Sequence, residues 1–219
     1  QTNDSTSVDW NFTPTSANNY VLKLNGADFI HIEKMTIRTT SPTYGTIIQM
    51  SGGCNYNVVS NCVLSGGRTS NNNMIYGTNS LDNYNVFSQN KFLRGQVGIH
   101  IEGNTGPYVA EKGNVIKDNY FYNHTNIAIS VLLQESILID NNTISMDTVC
   151  ASNSIGIKAF STRMLPQISN NKFNGKVLHG ILWDDHGGGP YTRGKIFNNM
   201  IHNYGTQAYC CIGASSASS

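Results

Sequence analysis

Charged residues are scarce in this sequence: 12% of its 219 residues are Asp, Glu, Lys or Arg, and the formal net charge is +1. Binding to nucleic acid or to an anionic membrane favours a basic surface, and the composition supplies none. No run approaches the roughly 18 consecutive apolar residues of a membrane-spanning helix, and no charged-then-apolar leader opens the chain. We therefore expect a soluble protein, either mature or cut from a longer one.

The cysteines lack any Cys-x-x-Cys pair, which argues against a structural zinc site. The five cysteines are Cys54, Cys62, Cys150, Cys210 and Cys211. Because their number is odd, at least one is unpaired if the others form bridges. One or two disulfides would suit secretion, whereas free thiols buried in the core are equally compatible with the sequence.

An asparagine recurs at nearly constant spacing along the chain. Going back from Asn199, the separations are 28, 29, 23, 29 and 29 residues, and Met35 extends the series 26 residues earlier. The aligned asparagines are Asn61, Asn90, Asn119, Asn142, Asn171 and Asn199. An apolar residue lies three positions before and two positions after each of them, for example Val58 and Val63 around Asn61. This internal period predicts a solenoid.

The apolar residues indicate strands, because they are mostly β-branched or aromatic and alternate in short runs. A third strand in each repeat is marked by Ile47, Ile75, Ile99, Ile129, Ile157, Ile181 and Tyr209. Asparagine tolerates a left-handed corner, and in coils stacked about 4.8 Å apart each inward amide can bond to the next coil. The sequence therefore predicts an all-β, right-handed parallel β-helix of seven to eight coils with three strands each and an asparagine ladder.

The asparagine corners and the glycine-preceded strands, such as Gly156-Ile157, resemble the parallel β-helix repeats of the pectate-lyase-like superfamily. The segment from Asn19 to Ile30, followed by Lys34 to Ile37, is similar to β-helix modules of large secreted Bacteroidetes surface proteins. The resemblance covers nearly the whole chain and implies a bacterial protein that is secreted or displayed on the cell surface. It defines no single activity, since the superfamily includes lyases, hydrolases, binding modules and adhesins.

We expect residues 1–212 to form one β-helix domain and the Ser/Ala/Gly-rich residues 213–219 to form a tail or linker. No amphipathic helix that would cap an open solenoid end precedes Val8. Neighbouring modules of the same polypeptide are therefore the expected partners at both ends.

Residues that alternate with the inward isoleucines should project from one outer surface. The first outward column is expected to contain Ile48, Tyr76, His100, Ser130, Lys158, Leu182 and Cys210, and the second Met50, Thr78, Glu102, Leu132, Phe160, Asp184 and Ile212. In the pectate-lyase-like superfamily this sheet and its flanking loops commonly form the substrate groove. The resemblance thus implies that Tyr76, His100, Glu102, Phe160 and Arg193 bind substrate.

A β-eliminating lyase needs a base that removes the proton next to a uronate carboxylate, and a cation that neutralises this carboxylate. The resemblance implies that Lys158 is the base and that Asp184 and Asp185 hold the cation. Ca²⁺ is the candidate cation, although the residues alone establish no cofactor. The alternative, which we favour at this stage, is that Lys158 is an outward lysine paired with a surface aspartate.

Asp184, Asp185 and His186 also invite comparison with polygalacturonases. In those enzymes the catalytic groups come from successive coils, whereas here the acids and the histidine are contiguous and Arg193 follows within one coil. Two carboxylates serve as acid and base on a glycosidic bond only at a suitable separation. The alternative is a glycine-rich turn with solvated charges.

The leading hypothesis from the sequence is a binding or adhesion module directed at polysaccharide. Exposed aromatic side chains such as Tyr76 and Phe160 stack on sugar rings, and the abundant Asn, Ser, Thr and Tyr residues supply neutral hydrogen bonds. The rival is a polysaccharide lyase or glycoside hydrolase whose catalytic residues are Lys158, Asp184, Asp185 and His186. A passive structural spacer is the third hypothesis.

Overall fold

A computed structural model describes residues 8–67, 72–146, 154–185, 193–203 and 210–216, with the backbone alone at residues 184, 185, 203 and 210–216. Every regular element in these ranges is a β-strand, and the strands form three parallel sheets of eight, nine and seven strands. The predicted all-β parallel solenoid is therefore confirmed, and its number of coils is close to the predicted number. The same residues include no helix that is long and apolar enough to span a membrane.

The chain enters the second, third and first sheets in turn, so each coil adds one strand to each sheet. The first sheet contains β1 (Asp9–Phe12), β4 (Thr36–Thr39), β7 (Val63–Ser65), β10 (Lys91–Leu93), β14 (Tyr120–Tyr122), β17 (Thr143–Met146), β20 (Lys172–Gly175) and β23 (Met200–Asn203). The second contains β2 (Tyr20–Asn25), β5 (Thr46–Ser51), β8 (Asn73–Gly77), β11 (Val97–Glu102), β15 (Ile127–Glu135), β18 (Ile155–Arg163), β21 (His179–Asp185) and β24 (Cys210–Ser216), with the short β12 (Glu111–Lys112) beside β15. The third contains β3 (His31–Glu33), β6 (Val58–Ser60), β9 (Val86–Ser88), β13 (Val115–Lys117), β16 (Leu138–Asp140), β19 (Gln167–Ser169) and β22 (Lys195–Phe197).

The last strand, β24, runs to Ser216 and pairs with β21. It therefore includes the first four residues of the segment 213–219 that was expected to be a tail.

Apolar side chains stack at equivalent positions inside the coils. In the second sheet these residues are Ile48, Ile75, Ile99, Ile129, Ile157 and Ile181, and the backbone of Ile212 continues the same register. The predicted Ile47 is one position too early, and Ile212 replaces Tyr209, which lies outside the described residues. Because Ile47 and Ile48 are both fully buried, apolar character alone did not identify the aligned residue.

Asparagine side chains link successive coils at the corner between the third and first sheets. The backbone N and Nδ2 of Asn119 both donate to Oδ1 of Asn142 at 3.0 Å, and the same Nδ2 donates to the carbonyl of Phe87 at 2.9 Å. This pattern joins Asn90, Asn119, Asn142, Asn171 and Asn199. The bonds satisfy buried amides that would each cost roughly 1–3 kcal/mol if left unpaired.

Cys62, and not Asn61, occupies the equivalent position in the coil that precedes Asn90. The backbone N of Cys62 donates to Oδ1 of Asn90 at 2.9 Å. The inward residues of this coil are accordingly Val59 and Leu64, each one position after the predicted Val58 and Val63. A slip of one residue exchanges the inward and outward faces of a strand, so the predicted register was wrong in this coil. Asn61 instead forms the left-handed corner, with φ of 54°.

A second buried asparagine column lies at the corner between the second and third sheets, and the sequence analysis missed it. Oδ1 of Asn85 accepts from the backbone N of Asn57 at 2.9 Å, and Oδ1 of Asn114 accepts from the backbone N of Asn85 at 2.8 Å. Each of these asparagines immediately precedes a valine that opens a third-sheet strand. This repeated Asn-Val pair is the sequence pattern from which the second column could have been predicted.

We expect Asn142→Ala to destabilise the protein by about 2–4 kcal/mol, because it leaves buried groups of Asn119 and the carbonyl of Ile116 without their partners. The measurement is the free energy of unfolding from urea titration. Asn141→Gly is the matched control, since this neighbour is exposed and has φ of 50°, which glycine adopts readily. Equal losses in the two variants would contradict a special role for the interior amides.

Candidate functional site

Five predicted site residues lie together on the exterior of the second sheet. Strand pairing aligns Tyr76 with His100, and Lys158 lies two strands further along the same column. Glu102 and Phe160 occupy the neighbouring column, two positions further along their strands. We call the surface formed by these five residues the outer face.

The predicted outward columns are wrong at their ends. Ile48 and Met50 belong to the core, with 0% and 2% exposure, and Gln49 is the residue that aligns with Tyr76. At the other end, Gly213 rather than Cys210 aligns with Leu182, and the backbone of Ile212 aligns with Ile181. The predicted register is off by one residue at Ile48 and by three at Cys210, and a shift by an odd number of residues exchanges the inward and outward faces of a strand.

Tyr76 and His100 form a stacked pair. Their ring centroids are 5.4 Å apart and their planes differ by 20°. Nε2 of His100 lies 3.4 Å from Oε2 of Glu102, and both side chains are partly buried. The structure therefore joins an aromatic ring, an imidazole and a carboxylate across two adjacent strands.

Burial lowers the pKa of His100, and the positive charge of Lys158 lowers it further, whereas the hydrogen bond and charge of Glu102 act in the opposite direction. Burial is the largest of these effects, so the imidazole is neutral at pH 7. A neutral ring that donates from Nε2 to Glu102 presents Nδ1 as a hydrogen-bond acceptor. This arrangement suits either a ligand hydroxyl or the removal of a proton.

Lys158 lies over an aromatic ring. Its Nζ is 4.4 Å from the centroid of Phe160, a cation–π contact. None of the ion pairs within the described residues includes Lys158, so the aspartate pairing that we favoured from the sequence is not observed there. Because Ser130 separates Lys158 from His100 in the column, the two basic groups flank a small side chain.

A loop borders the outer face at the carboxyl ends of its strands. Residues 103–110, which we call the wall loop, follow β11 and are closed by paired backbone bonds between Asn104 and Val109. The hydroxyl of Tyr108 lies 2.9 Å from Oγ of Ser161, and Arg163 lies 5.0 Å from the centre of the Tyr108 ring. These contacts fix the wall loop against β18.

The remaining predicted site residues are Arg193, Asp184, Asp185 and His186. Arg193 is exposed on the segment that leads into β22 of the third sheet. The backbone of Asp184 pairs in β21, in register with Phe160, while the side chains of Asp184 and Asp185 and all of His186 lie outside the described part. Among the residues that are described, no three His, Cys, Asp or Glu side chains are grouped to hold a metal ion. The Ca²⁺ site at Asp184 and Asp185 stays a prediction.

A buried polar cluster beneath the wall loop was not anticipated from the sequence. Oε2 of Glu111 accepts from Nε2 of Gln134 at 2.7 Å and from Nδ2 of Asn114 at 3.1 Å. Asp82 donates its backbone N to Oε1 of Glu111 at 3.3 Å, and Ser80 donates to Oδ2 of Asp82 at 2.6 Å. Burial raises the pKa of Glu111 to about 8 and also raises the pKa of Asp82. Since Glu111 and Asp82 are fully buried, this cluster belongs to the interior of the solenoid.

Comparisons of the chain with models of protein families, with curated proteins and with solved structures find no match.

Glu111→Gln should flatten the dependence of stability on pH. The pKa of Glu111 in the folded protein is about 8, above its ordinary value of 4.5, so its stabilising contribution is complete below pH 4.5 and is lost as pH rises toward 8. The lowered pKa of His100 makes stability rise with pH instead, but this effect is present in both the parent and the variant.

We therefore expect the thermal midpoint of the parent to fall relative to that of Glu111→Gln between pH 5 and pH 8, as measured by circular dichroism. Glu33→Gln is the control, because Glu33 is exposed on β3. A constant difference between parent and Glu111→Gln across this range would rule out the raised pKa.

Proposed function

We propose that the outer face binds a polysaccharide chain laid across the strands. The observation that carries this proposal is the row formed by the Tyr76–His100 stack and the Lys158–Phe160 pair on one rigid sheet. Partly exposed rings supply apolar area for sugar stacking, while Glu102 and His100 supply polar groups.

The geometry of the coils supports a repeating ligand. Adjacent strands lie about 4.8 Å apart, so a chain that crosses them meets an equivalent position in every coil. The wall loop adds Tyr108, which is 46% exposed, and the Arg163 side chain at the edge of this path. A polymer with regularly spaced rings is therefore a better fit than a compact ligand.

The biological setting is part of the same proposal. The corner asparagines and the Gly-Ile strands support a relationship to the pectate-lyase-like superfamily and to β-helix modules of secreted Bacteroidetes proteins. We propose a bacterial protein, secreted or on the cell surface, in which neighbouring modules of one polypeptide accompany this solenoid. A passive spacer is the outcome that would follow if no glycan binds.

Tyr76→Ala should weaken the binding of polysaccharide by about tenfold, equivalent to roughly 1.4 kcal/mol, because it removes the ring that stacks with His100. The measurement is retention on insoluble polysaccharides, followed by titration with the polysaccharide that is retained. Tyr120→Ala is the matched control, since Tyr120 is also partly buried but lies on the first sheet. Equal weakening in both variants, or no retention of the parent, would count against the outer face.

A second candidate function, a polysaccharide lyase or glycoside hydrolase, is favoured by one specific observation. His100 is neutral and hydrogen-bonded to Glu102, an arrangement that orients an imidazole as a general base. Lys158 lies two strands away and offers a cation or the base that the sequence predicted. Asp184, Asp185 and His186 remain the predicted additional groups of this enzyme.

If the protein is a lyase, incubation with uronate-containing polysaccharides should raise the ultraviolet absorbance of unsaturated uronate products. Replacement of the base should abolish this rise, and the two candidates are tested with Lys158→Ala and His100→Ala. If only one of these variants loses the lyase activity, the residue replaced in it is the base. Lys91→Ala, an exposed lysine of the first sheet, should leave it unchanged. Absence of product from a broad panel of polysaccharides, with reducing ends assayed in parallel for hydrolysis, would remove the enzyme hypothesis.

A further inference from the structure

A cleft lies on the opposite side of the coil from the outer face, at the corner where the chain passes from the third sheet to the first. It is lined by Asp140, Asn141, Asn170, Lys172, Asn198 and Met200. These residues come from three successive coils, and the volume of the cleft is about 460 Å³. This volume falls within the range of roughly 300–1,000 Å³ that is typical of ligand sites. We call this site the corner cleft.

The floor of the corner cleft is rigid. Asn141, Asn170 and Asn198 form left-handed corners with φ of 50°, 56° and 54°. Each of them is followed directly by a member of the asparagine column: Asn142 and Asn171 bond to the coils on either side, and Asn199 bonds to the preceding coil. The amide groups at the surface therefore start from a fixed backbone and lose little freedom when a ligand binds.

The carboxylate of Asp140 is held in place from one side. Its Oδ1 accepts from Oγ of Ser169 at 2.6 Å and from Nδ2 of Asn170 at 2.8 Å. Both bonds use the same oxygen, and no donor among the described residues is bonded to Oδ2. The second oxygen is thus oriented and available to accept a hydrogen bond from a ligand.

The other side of the corner cleft offers a cation and an apolar surface. Lys172 and Met200 occupy one column at the start of β20 and β23, and Met200 is 64% exposed. No ion pair in the described part of the chain includes Lys172, so its ammonium group is not matched to Asp140. A carboxylate and an ammonium group therefore line one cleft without neutralising each other directly.

We propose that the corner cleft binds a neutral sugar, independently of the outer face. A sugar hydroxyl both donates and accepts, so neighbouring hydroxyls can satisfy Asp140, Lys172 and the amides together. The apolar C–H face of the ring packs on Met200. The cleft has no net preference for a charged ligand, because the repulsion of an anion by Asp140 offsets its attraction to Lys172, and the reverse holds for a cation.

The corner cleft and the outer face lie on different sheets of the solenoid. The outer face belongs to the second sheet, whereas the corner cleft joins the third and first sheets, so one chain segment cannot cover both. Two sites on one rigid solenoid let the protein hold two glycan chains, or two segments of one chain, and binding to a dense polysaccharide surface then gains from multivalency.

The test uses the whole ¹⁵N-labelled chain and three neutral probes: cellotetraose, xylotetraose and mannotetraose at millimolar concentration. At least one probe should shift the side-chain amide signals of Asn141, Asn170 and Asn198 in a saturable manner. Lys172→Thr and Met200→Thr should each weaken this binding at least about tenfold. Both substitutions introduce threonine, which Thr143 supplies at the same register position one coil before Lys172 and two coils before Met200, so we expect the fold to be retained.

Lys91→Thr is the matched control, because Lys91 holds the equivalent position two coils before Thr143 and lies away from the corner cleft. Tyr76→Ala should leave the cleft signals unchanged, which separates this site from the outer face. If no probe produces saturable shifts there, or if Lys172→Thr and Lys91→Thr bind equally, the proposal is overturned. Loss of the shifts in Tyr76→Ala would also overturn it, because a single shared site would then be responsible.

Discussion

The hydrogen bonds of the interior asparagines are the constraint on which the rest of this structure depends. Oδ1 of Asn119 accepts from the backbone N of Asn90, while Nδ2 of Asn119 donates to the carbonyl of Phe87 and to Asn142. One side chain thus ties together three coils in a place that water does not reach. Since a buried amide without partners costs roughly 1–3 kcal/mol, a shift of the register by one residue would leave several such groups unpaired. The column fixes which residues face inward.

With the inward residues fixed, the outward columns can carry side chains that contribute little to folding. In the second sheet this freedom places Tyr76, His100 and Lys158 above a floor of isoleucines. At the corner between the third and first sheets, the same register places Lys172 and Met200 beside left-handed asparagines. Both proposed binding surfaces therefore depend on alignment between coils, and neither contains a residue of the hydrophobic core. This separation explains how a solenoid keeps its fold while its surface chemistry changes.

The sequence was sufficient to predict the architecture, because the period of the apolar residues survives small errors of alignment. It was not sufficient to fix the register everywhere. At Asn61-Cys62 and at Ile47-Ile48, two adjacent residues were both plausible inward positions, and only strand pairing distinguishes them. The contact between Tyr76 and His100 follows from correct alignment of neighbouring coils and could have been predicted from the sequence. The cation–π contact of Lys158 and the cluster around Glu111 depend on side-chain conformations and loop paths that a repeat pattern does not encode.

Exposed aromatic area alone does not identify a sugar-binding surface, as the corner after the second sheet shows. Phe29, Tyr56 and Tyr84 have φ of 57°, 57° and 56°, and their rings stack with centroids 5.1 and 5.0 Å apart. Tyr56 is covered on both ring faces, and Tyr84 packs on Gly113, where a Cβ would approach to 2.5 Å. Left-handed backbone is unfavourable for bulky residues, and stacking of about 0.5–1.5 kcal/mol per pair offsets part of that cost. A sugar stacks on a ring face, and Tyr56 offers only its edges, so the exposed area of Tyr56 does not indicate a sugar site. On the outer face, by contrast, Phe160 is contacted by the ammonium end of Lys158, a long side chain with several rotatable bonds that can move aside without disturbing the backbone.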